Sequence, residues 1–197
     1  EAGEAAERDA AIVMLDIRGF TRFSTTVEPK RVVEMLTSFH TRIVPIVQGN
    51  GGVIDKFLGD GVMATFGAVK ASPTAAADAL TALSEIMVEA RVWSQDLRQS
   101  TGGADLTVNG AAAAGRVVFA TLGSTERLEY TVIGEAVNLA AKLEKHNKAE
   151  GTSAITTAMM LELALEQGYV PRRPPEVRPS RSVAGVPEPV DLVVLVS

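Results

Sequence analysis

Two aspartates carry the first chemical signal in this chain. Asp16 ends the apolar run Ala10-Ala11-Ile12-Val13-Met14-Leu15, and Asp60 sits in Gly59-Asp60 between two short apolar stretches. An aspartate in a turn is ordinary, since its side chain caps local backbone groups. Two of them at the ends of neighbouring strands could converge on a cation, and paired aspartates holding two Mg²⁺ ions can run an in-line phosphoryl displacement. Spacing alone leaves two unrelated turn residues equally open. Other chemistries are poorly supplied. The 197 residues include no cysteine and only two histidines, His40 and His146. Disulfides, thiolate metal sites and a Ser-His-Asp triad are therefore disfavoured. Any metal chemistry falls to carboxylates, which suit hard ions such as Mg²⁺. Neither histidine is assigned a role.

The elements around these residues follow from pattern. Val53 to Phe66 reads as a hairpin, because glycine supplies the positive φ that a tight Gly-Asp turn needs. Its arm carries Lys56, four residues before Asp60. Ala10 to Leu15 reads as a buried strand. Arg31 to Gln48 has helical apolar spacing through Val32, Val33, Leu36, Phe39, Ile43 and Val47, with Pro45 near its end. Ser72-Pro73 opens a helix to about Arg98. Leu106 to Ala114 is expected as a strand, Gly115-Arg116 as a turn, and the chain to Ala120 as a second strand. Gly123 to Arg127 is expected as a polar loop and Leu128 to Ile133 as a strand. A helix follows from Gly134 to about Asn147, with Val137, Ala140, Ala141 and Leu143 inward. Ser153 to Thr156 is a short strand and Thr157 to Glu166 a short helix. Six of the nine prolines follow Gly168, so Pro171 onward reads as an extended surface segment before a final edge strand, Pro189 to Val196.

Composition bounds the rest. The net charge of −5 argues against a nucleic-acid partner. No apolar run is long enough to span a membrane, and no signal peptide is visible. The absence of cysteine fits a reducing, cytoplasmic setting. Residues 1–9, acidic and rich in alanine, read as the end of a preceding helix or linker, leaving 10–197 as one domain. Intermixed strands and helices with short hairpins point to an α+β fold with a mostly antiparallel sheet.

Three longer stretches add specificity: Leu15-Asp16-Ile17-Arg18-Gly19-Phe20-Thr21, Lys56-Phe57-Leu58-Gly59-Asp60-Gly61, and Tyr130-Thr131-Val132-Ile133-Gly134-Glu135-Ala136-Val137-Asn138-Leu139-Ala140-Ala141. In this order they resemble the signatures of class III nucleotidyl cyclase catalytic domains, and the resemblance covers Ala10 to Val196. It implies a ferredoxin-like antiparallel sheet flanked by helices, and a head-to-tail homodimer with composite active sites. It further implies cyclisation of ATP to cyclic AMP with two Mg²⁺ (or Mn²⁺). By position, Asp16, Asp60 and the Ile17 carbonyl would hold metal, and Gly19, Phe20 and Thr21 would hold the terminal phosphates. Lys56 and Thr131 would read adenine, since an ammonium donates to N1 and a hydroxyl accepts from the exocyclic amine. Asn138 would orient the ribose, and Lys142 stands where the family places the arginine that meets the α-phosphate.

The departures are basic residues. Lysine lacks the planar fork of arginine. Asn109 stands where an arginine usually meets the triphosphate, and Ala184-Gly185-Val186 lacks the usual basic neighbour. These losses keep open a degenerate domain that binds nucleotide or dimerises without efficient turnover. A guanylate cyclase is a further alternative. A diguanylate cyclase expects a Gly-Gly-Asp/Glu-Glu-Phe signature, which Gly59-Asp60-Gly61-Val62 does not match. A sensor or effector domain is expected to adjoin this one in the full-length protein.

Overall fold

A computed structural model describes residues 5–101, 105–124 and 127–197. Among these residues eight strands form one mixed sheet in the order β2-β3-β1-β4-β6-β8-β7, with β5 also paired to β4. The centre is a long antiparallel pair, β1 (Ala5–Arg18) and β4 (Thr107–Ser124), matched from Ala5↔Ala120 to Arg18↔Thr107. β3 (Gly61–Phe66) flanks β1, and β2 (Val53–Leu58) forms one edge. On its other side β4 meets β6 (Ala154–Thr157) at Gly110 and Ala111, and β5 (Arg127–Ile133) from Val118 onward. The β4–β6 pairing is parallel and every other pairing is antiparallel. The α+β, mostly antiparallel expectation therefore holds.

Period-two alternation in β1 divides the interior into two layers. Ala11, Val13, Leu15 and Ile17 face one way. They meet α2 (Pro29–Gly49), α3 (Ala75–Thr101) and α5 (Ala158–Glu166) through Phe39, Ile43, Leu80, Leu83, Trp93 and Met160. Ala10 and Ile12 face the other way, with Met63, Ala111 and Ala113, onto Ala136, Ala140 and Leu143 of α4 (Glu135–Glu150). The run of alanines in β4 lets α3 and α4 approach the sheet from both sides. Gly110 shows how closely: a Cβ there would lie 2.6 Å from Leu83 Cδ1.

Several boundaries differ from the sequence reading. Ala5 to Asp9 are strand, not the end of a helix, because they pair with Arg116 to Ala120. The same pairing keeps Gly115-Arg116 extended, so the expected turn is absent and β4 runs unbroken. In α2 the inward residues are Met35, Phe39, Ile43 and Val47, while Val33 is 62% exposed. The third helix begins at Ala75, two residues beyond Pro73, and the amides of Ala76 and Ala77 donate to Gln167 Oε1 from across the fold. The helix runs to Thr101, three residues past Arg98. Part of the expected Gly123–Arg127 loop lies outside the described residues; Gly123, Ser124 and Arg127 themselves are strand. The segment after Pro171 contains β7 (Glu176–Arg181), which takes the sheet edge. β8 (Val190–Val196) is thus interior to the sheet, with Leu192 and Val193 fully buried.

Candidate functional site

The β2–β3 hairpin closes on Gly59-Asp60, with Gly59 at φ +66°. β1 lies beside β3, and that pairing ends at Leu15↔Val62. Asp16, Ile17 and Arg18 therefore run on past the start of β3 and are paired only with β4. The hairpin tip fills that side, and the Asp16 and Asp60 carboxylates come within hydrogen-bonding reach of each other. A third acid lies close. Glu144, on the inward face of α4, is 7% exposed, feels the charge of Asp60 and accepts from Asn109. Asn109 is the direct cross-strand partner of Asp16.

The electrostatics follow from this crowding. Burial, then the proximity of Asp60 and next of Glu144, pushes the Asp16 carboxyl up to about 7, against a stabilising bond from the Ile17 amide. Burial raises Glu144 as well, opposed by Asn109, Lys145 and Arg18. Asp16 and Asp60 are two carboxylates sharing one site, an oxygen donor pair of the kind a hard divalent ion takes, and among the described residues no group of three or more His, Cys, Asp or Glu side chains is set to hold a metal.

Arg18 closes the end of β1 by donating to the Thr152 carbonyl at 3.0 Å. Gly19 then caps the short helix α1 (Phe20–Thr26), which places Phe20 and Thr21 in its first turn, just beyond the strand end that carries Asp16.

Lys56 owes its orientation to a β-bulge. Ile54 pairs with Ala64, but Lys56, not Asp55, pairs with Met63. Asp55 is the extra residue. Met63 belongs to the α4 layer and Ala64 to the opposite layer. The bulge thus turns Lys56 to the α4 side, whereas strict alternation from Ile54 would send it to the other. It also brings two successive side chains together: Lys56 Nζ lies 3.3 Å from Asp55 Oδ2. Phe57 turns the other way and stacks on His40, with ring centroids 4.0 Å apart. Burial lowers the His40 pKa.

The remaining candidates lie along α4 and β5. Thr131 pairs with Ala120, eleven positions along β4 from Asn109, a contour of roughly 36 Å from Asp16. Gly134 joins β5 to α4 in close contact with β4; a Cβ there would stand 2.8 Å from the Arg116 carbonyl. Asn138 is exposed on the first turns of α4. One turn on, the Lys142 ammonium donates to the Gly185 carbonyl in the β7–β8 loop. The structure thus gathers Asp16, Ile17, Asp60 and the Gly19–Thr21 turn at one end of β1, and sets Thr131 well apart from them. Glu144 was missed by sequence reasoning. Its signal was present, for 136, 140, 144 and 147 trace one inward face that ends in two polar residues, Glu144 and Asn147.

Residues 4–179 match the family model described as the adenylate and guanylate cyclase catalytic domain. The chain belongs to that family. An adenylate cyclase of Anabaena cylindrica is 33% identical over 159 residues, and adenylate cyclase 1 of Rhizobium meliloti is 32% identical over 161. An uncharacterised protein of Mycobacterium tuberculosis is 34% identical over 161 residues. These alignments cover 80–82% of this chain and 24–31% of the relatives, so this cyclase domain spans less than a third of their length. Among solved structures, the adenylyl cyclase CyaB from P. aeruginosa superposes with a TM-score of 0.84 at 25% identity, covering 98% of this chain and 96% of that one. The guanylyl cyclase Cya2 gives 0.82 at 26% identity, covering 98% and 93%. The domain therefore has the class III cyclase fold, and among its described residues no helix is long and apolar enough to cross a membrane.

Proposed function

We propose that this domain is an adenylate cyclase that acts as a homodimer in the cytoplasm and forms cyclic AMP and pyrophosphate from ATP. The observation that carries the reading is the convergence of Asp16 and Asp60 beside the unpaired edge of Asp16–Arg18. Asp16, Asp60 and the Ile17 carbonyl would hold two Mg²⁺ (or Mn²⁺), which when bound supply Lewis acidity to the 3′-oxygen and the triphosphate. In the reaction the ribose 3′-oxygen attacks the α-phosphorus. Its proton is lost, and the bond to the departing pyrophosphate breaks. The amides of Gly19, Phe20 and Thr21 hold the terminal phosphates. Lys56 donates to adenine N1, and Thr131 accepts from the exocyclic amine. Asn138 orients the ribose, and Lys142 supplies a positive charge to the α-phosphate.

Two features support the dimer. Thr131 is far along the sheet from the aspartates of its own chain, which supports a site assembled from two copies. Both hairpins that carry them also present large apolar side chains to solvent: Phe57 and Leu58 on one, Leu122, Tyr130 and Ile133 on the other. Fusion to a sensor or effector domain accords with the far greater length of the relatives.

A second reading, a domain that binds nucleotide or dimerises with little turnover, is favoured by two contacts. Lys142 is engaged by the Gly185 carbonyl, and Asn109, in place of an arginine, is engaged by Glu144. Guanine is the third option, but Lys56 presents donors where guanine presents one too. Purified protein incubated with ATP or GTP and Mg²⁺ or Mn²⁺ separates these readings through the cyclic nucleotide formed. Cyclic AMP that vanishes in Asp60→Ala supports the proposal, and product that survives the substitution overturns the metal-site assignment. Tight nucleotide binding without product under any condition selects the second reading. Lys142→Arg is expected to raise kcat by roughly tenfold by restoring a bidentate donor. An unchanged kcat would remove residue 142 from the α-phosphate.

A further inference from the structure

We propose that Asp55 is the positioning residue for base recognition: its carboxylate pins the Lys56 ammonium in the direction that reads the purine edge. The inference rests on the reading of Lys56 as the adenine-contacting residue.

Adjacent residues of a regular strand point to opposite faces and cannot pair. Here the bulge between Ile54 and Lys56 leaves Asp55 as an extra residue beside Lys56, which pairs with Met63, and the charges of Asp55 and Lys56 meet at 3.3 Å. The two groups are unequal. The Asp55 side chain is 7% exposed, whereas Lys56 is 34% exposed and free to reach outward. Asp55 Oδ2 is buried and accepts no well-formed hydrogen bond. A buried carboxylate oxygen without a donor is costly, and the Lys56 ammonium is its compensating charge. The carboxylate is thus a fixed anchor on the edge strand, and the lysine is the movable partner.

Two consequences bear on specificity. A free lysine side chain carries substantial rotamer entropy. An anchored one has lost much of it before the nucleotide arrives, which favours binding through preorganisation. The pair also presents a directed N–H donor with little net positive field. A polyphosphate gains little by docking there, while a ring nitrogen that needs a single donor gains a great deal. A lone lysine would attract both. Asp55 therefore biases the site toward the base edge of ATP, where N1 accepts, and away from guanine, where N1–H donates.

The test compares wild type with Asp55→Asn, Asp55→Glu, Lys56→Ala and the Asp55→Asn/Lys56→Ala double variant. Cyclase kinetics with ATP and GTP are read beside the affinities of fluorescent ATP and GTP analogues, which need no turnover. Thermal unfolding verifies the fold of each variant. Asp55→Asn is expected to raise KM for ATP and lower the ATP-over-GTP preference by about tenfold, with kcat within about twofold. Asp55→Glu keeps the charge and retains most of the preference. In the Lys56→Ala background Asp55→Asn changes the preference by less than about twofold, because its effect passes through the lysine. A merely structural role for Asp55 would lower kcat and affinity for both nucleotides and add to the lysine deletion. If Lys56→Ala abolishes the preference and Asp55→Asn leaves it intact, the positioning role is overturned and base reading stands. If Lys56→Ala itself leaves the preference intact, base reading and the positioning role fall together.

Discussion

Asp16→Asn is expected to stabilise the metal-free protein while abolishing turnover. Burial first, then Asp60 and Glu144, lifts the Asp16 carboxyl from 3.8 to about 7. A rise of this size costs roughly 4 kcal/mol when the carboxylate is ionised, at about 1.36 kcal/mol for each tenfold change in proton affinity. Asp16 is only partly buried, and solvent screening reduces this to about 2 kcal/mol. The sign follows from proton linkage. The folded state holds its proton more tightly than the unfolded chain, so no stability is lost below the unfolded value near 4. The loss grows as pH climbs toward 7 and stays constant above it. Asparagine keeps the size and the acceptor for the Ile17 amide but carries no charge. In EDTA at about pH 8 the variant should melt roughly 4–8 °C above wild type, using 2–4 °C per kcal/mol for a chain of this size. The gain should shrink steadily toward pH 4. Added Mn²⁺ should raise the melting temperature of wild type more than that of the variant, narrowing the gap. Thermal unfolding followed by circular dichroism reads all three. A variant that melts below wild type in EDTA at pH 8, or whose advantage persists unchanged into acid, would refute the account of Asp16 as a destabilising charge held for function.

Two further outcomes follow from the geometry. Equal mixing of Asp60→Ala and Lys56→Ala chains, the first inactive and the second strongly impaired alone, should restore about a quarter of wild-type activity, since half of the dimers are mixed and each retains one intact site; cyclic AMP formation after co-expression reads it, and no restoration would place Asp60 and Lys56 of the same chain in one site. Glu150→Gln should destabilise the fold by about 1–2 kcal/mol near neutral pH, because the carboxylate gathers Arg178 at 3.0 Å, His146 at 3.0 Å and Arg181 at 3.3 Å, joining α4 to β7. These partners hold the Glu150 pKa below its ordinary value despite burial, so its contribution is present above about 4.5 and is lost as pH falls through the lowered value; denaturant unfolding followed from pH 7 downward should show the difference between variant and wild type shrink in acid.

The hairpin, the strand leading to Asp16 and the helix after Gly134 were legible because their signals are local: a Gly-Asp turn, a continuous apolar run, and helical spacing of alanines. The extra length of β1 and β4 was not, since Ala5–Asp9 and Gly115–Arg116 have weak strand character alone and become extended only by pairing with each other. Lys56 and Asp60 could be named from the sequence, but the face of Lys56 could not. Nothing in Val-Ile-Asp-Lys-Phe announces a bulge, which arises from the mismatch between the two arms of the hairpin. Glu144 carried a signal that went unused, a charged residue on the inward side of an otherwise apolar helix. The capture of Lys142 by Gly185 depends on a loop more than forty residues away and had no local trace.

The bulge at Asp55 constrains how this domain can change over evolutionary time. A single-residue deletion in the arm would restore regular pairing and leave the turn with its aspartate intact, so the chain would still fold with Asp60 in place. Lys56 would keep its place opposite Met63, because the turn sets its register, but Asp55 would be gone or would take the place opposite Ala64 and face the other layer, so the ion pair that holds Lys56 would be lost in one step. Under the proposed roles, substitution at 56 changes the base contact itself, whereas a deletion beside it removes the partner that holds the lysine. The length of the hairpin arm is therefore tied to the Asp55–Lys56 pair, and an engineer seeking altered nucleotide choice should edit its residues while keeping its count.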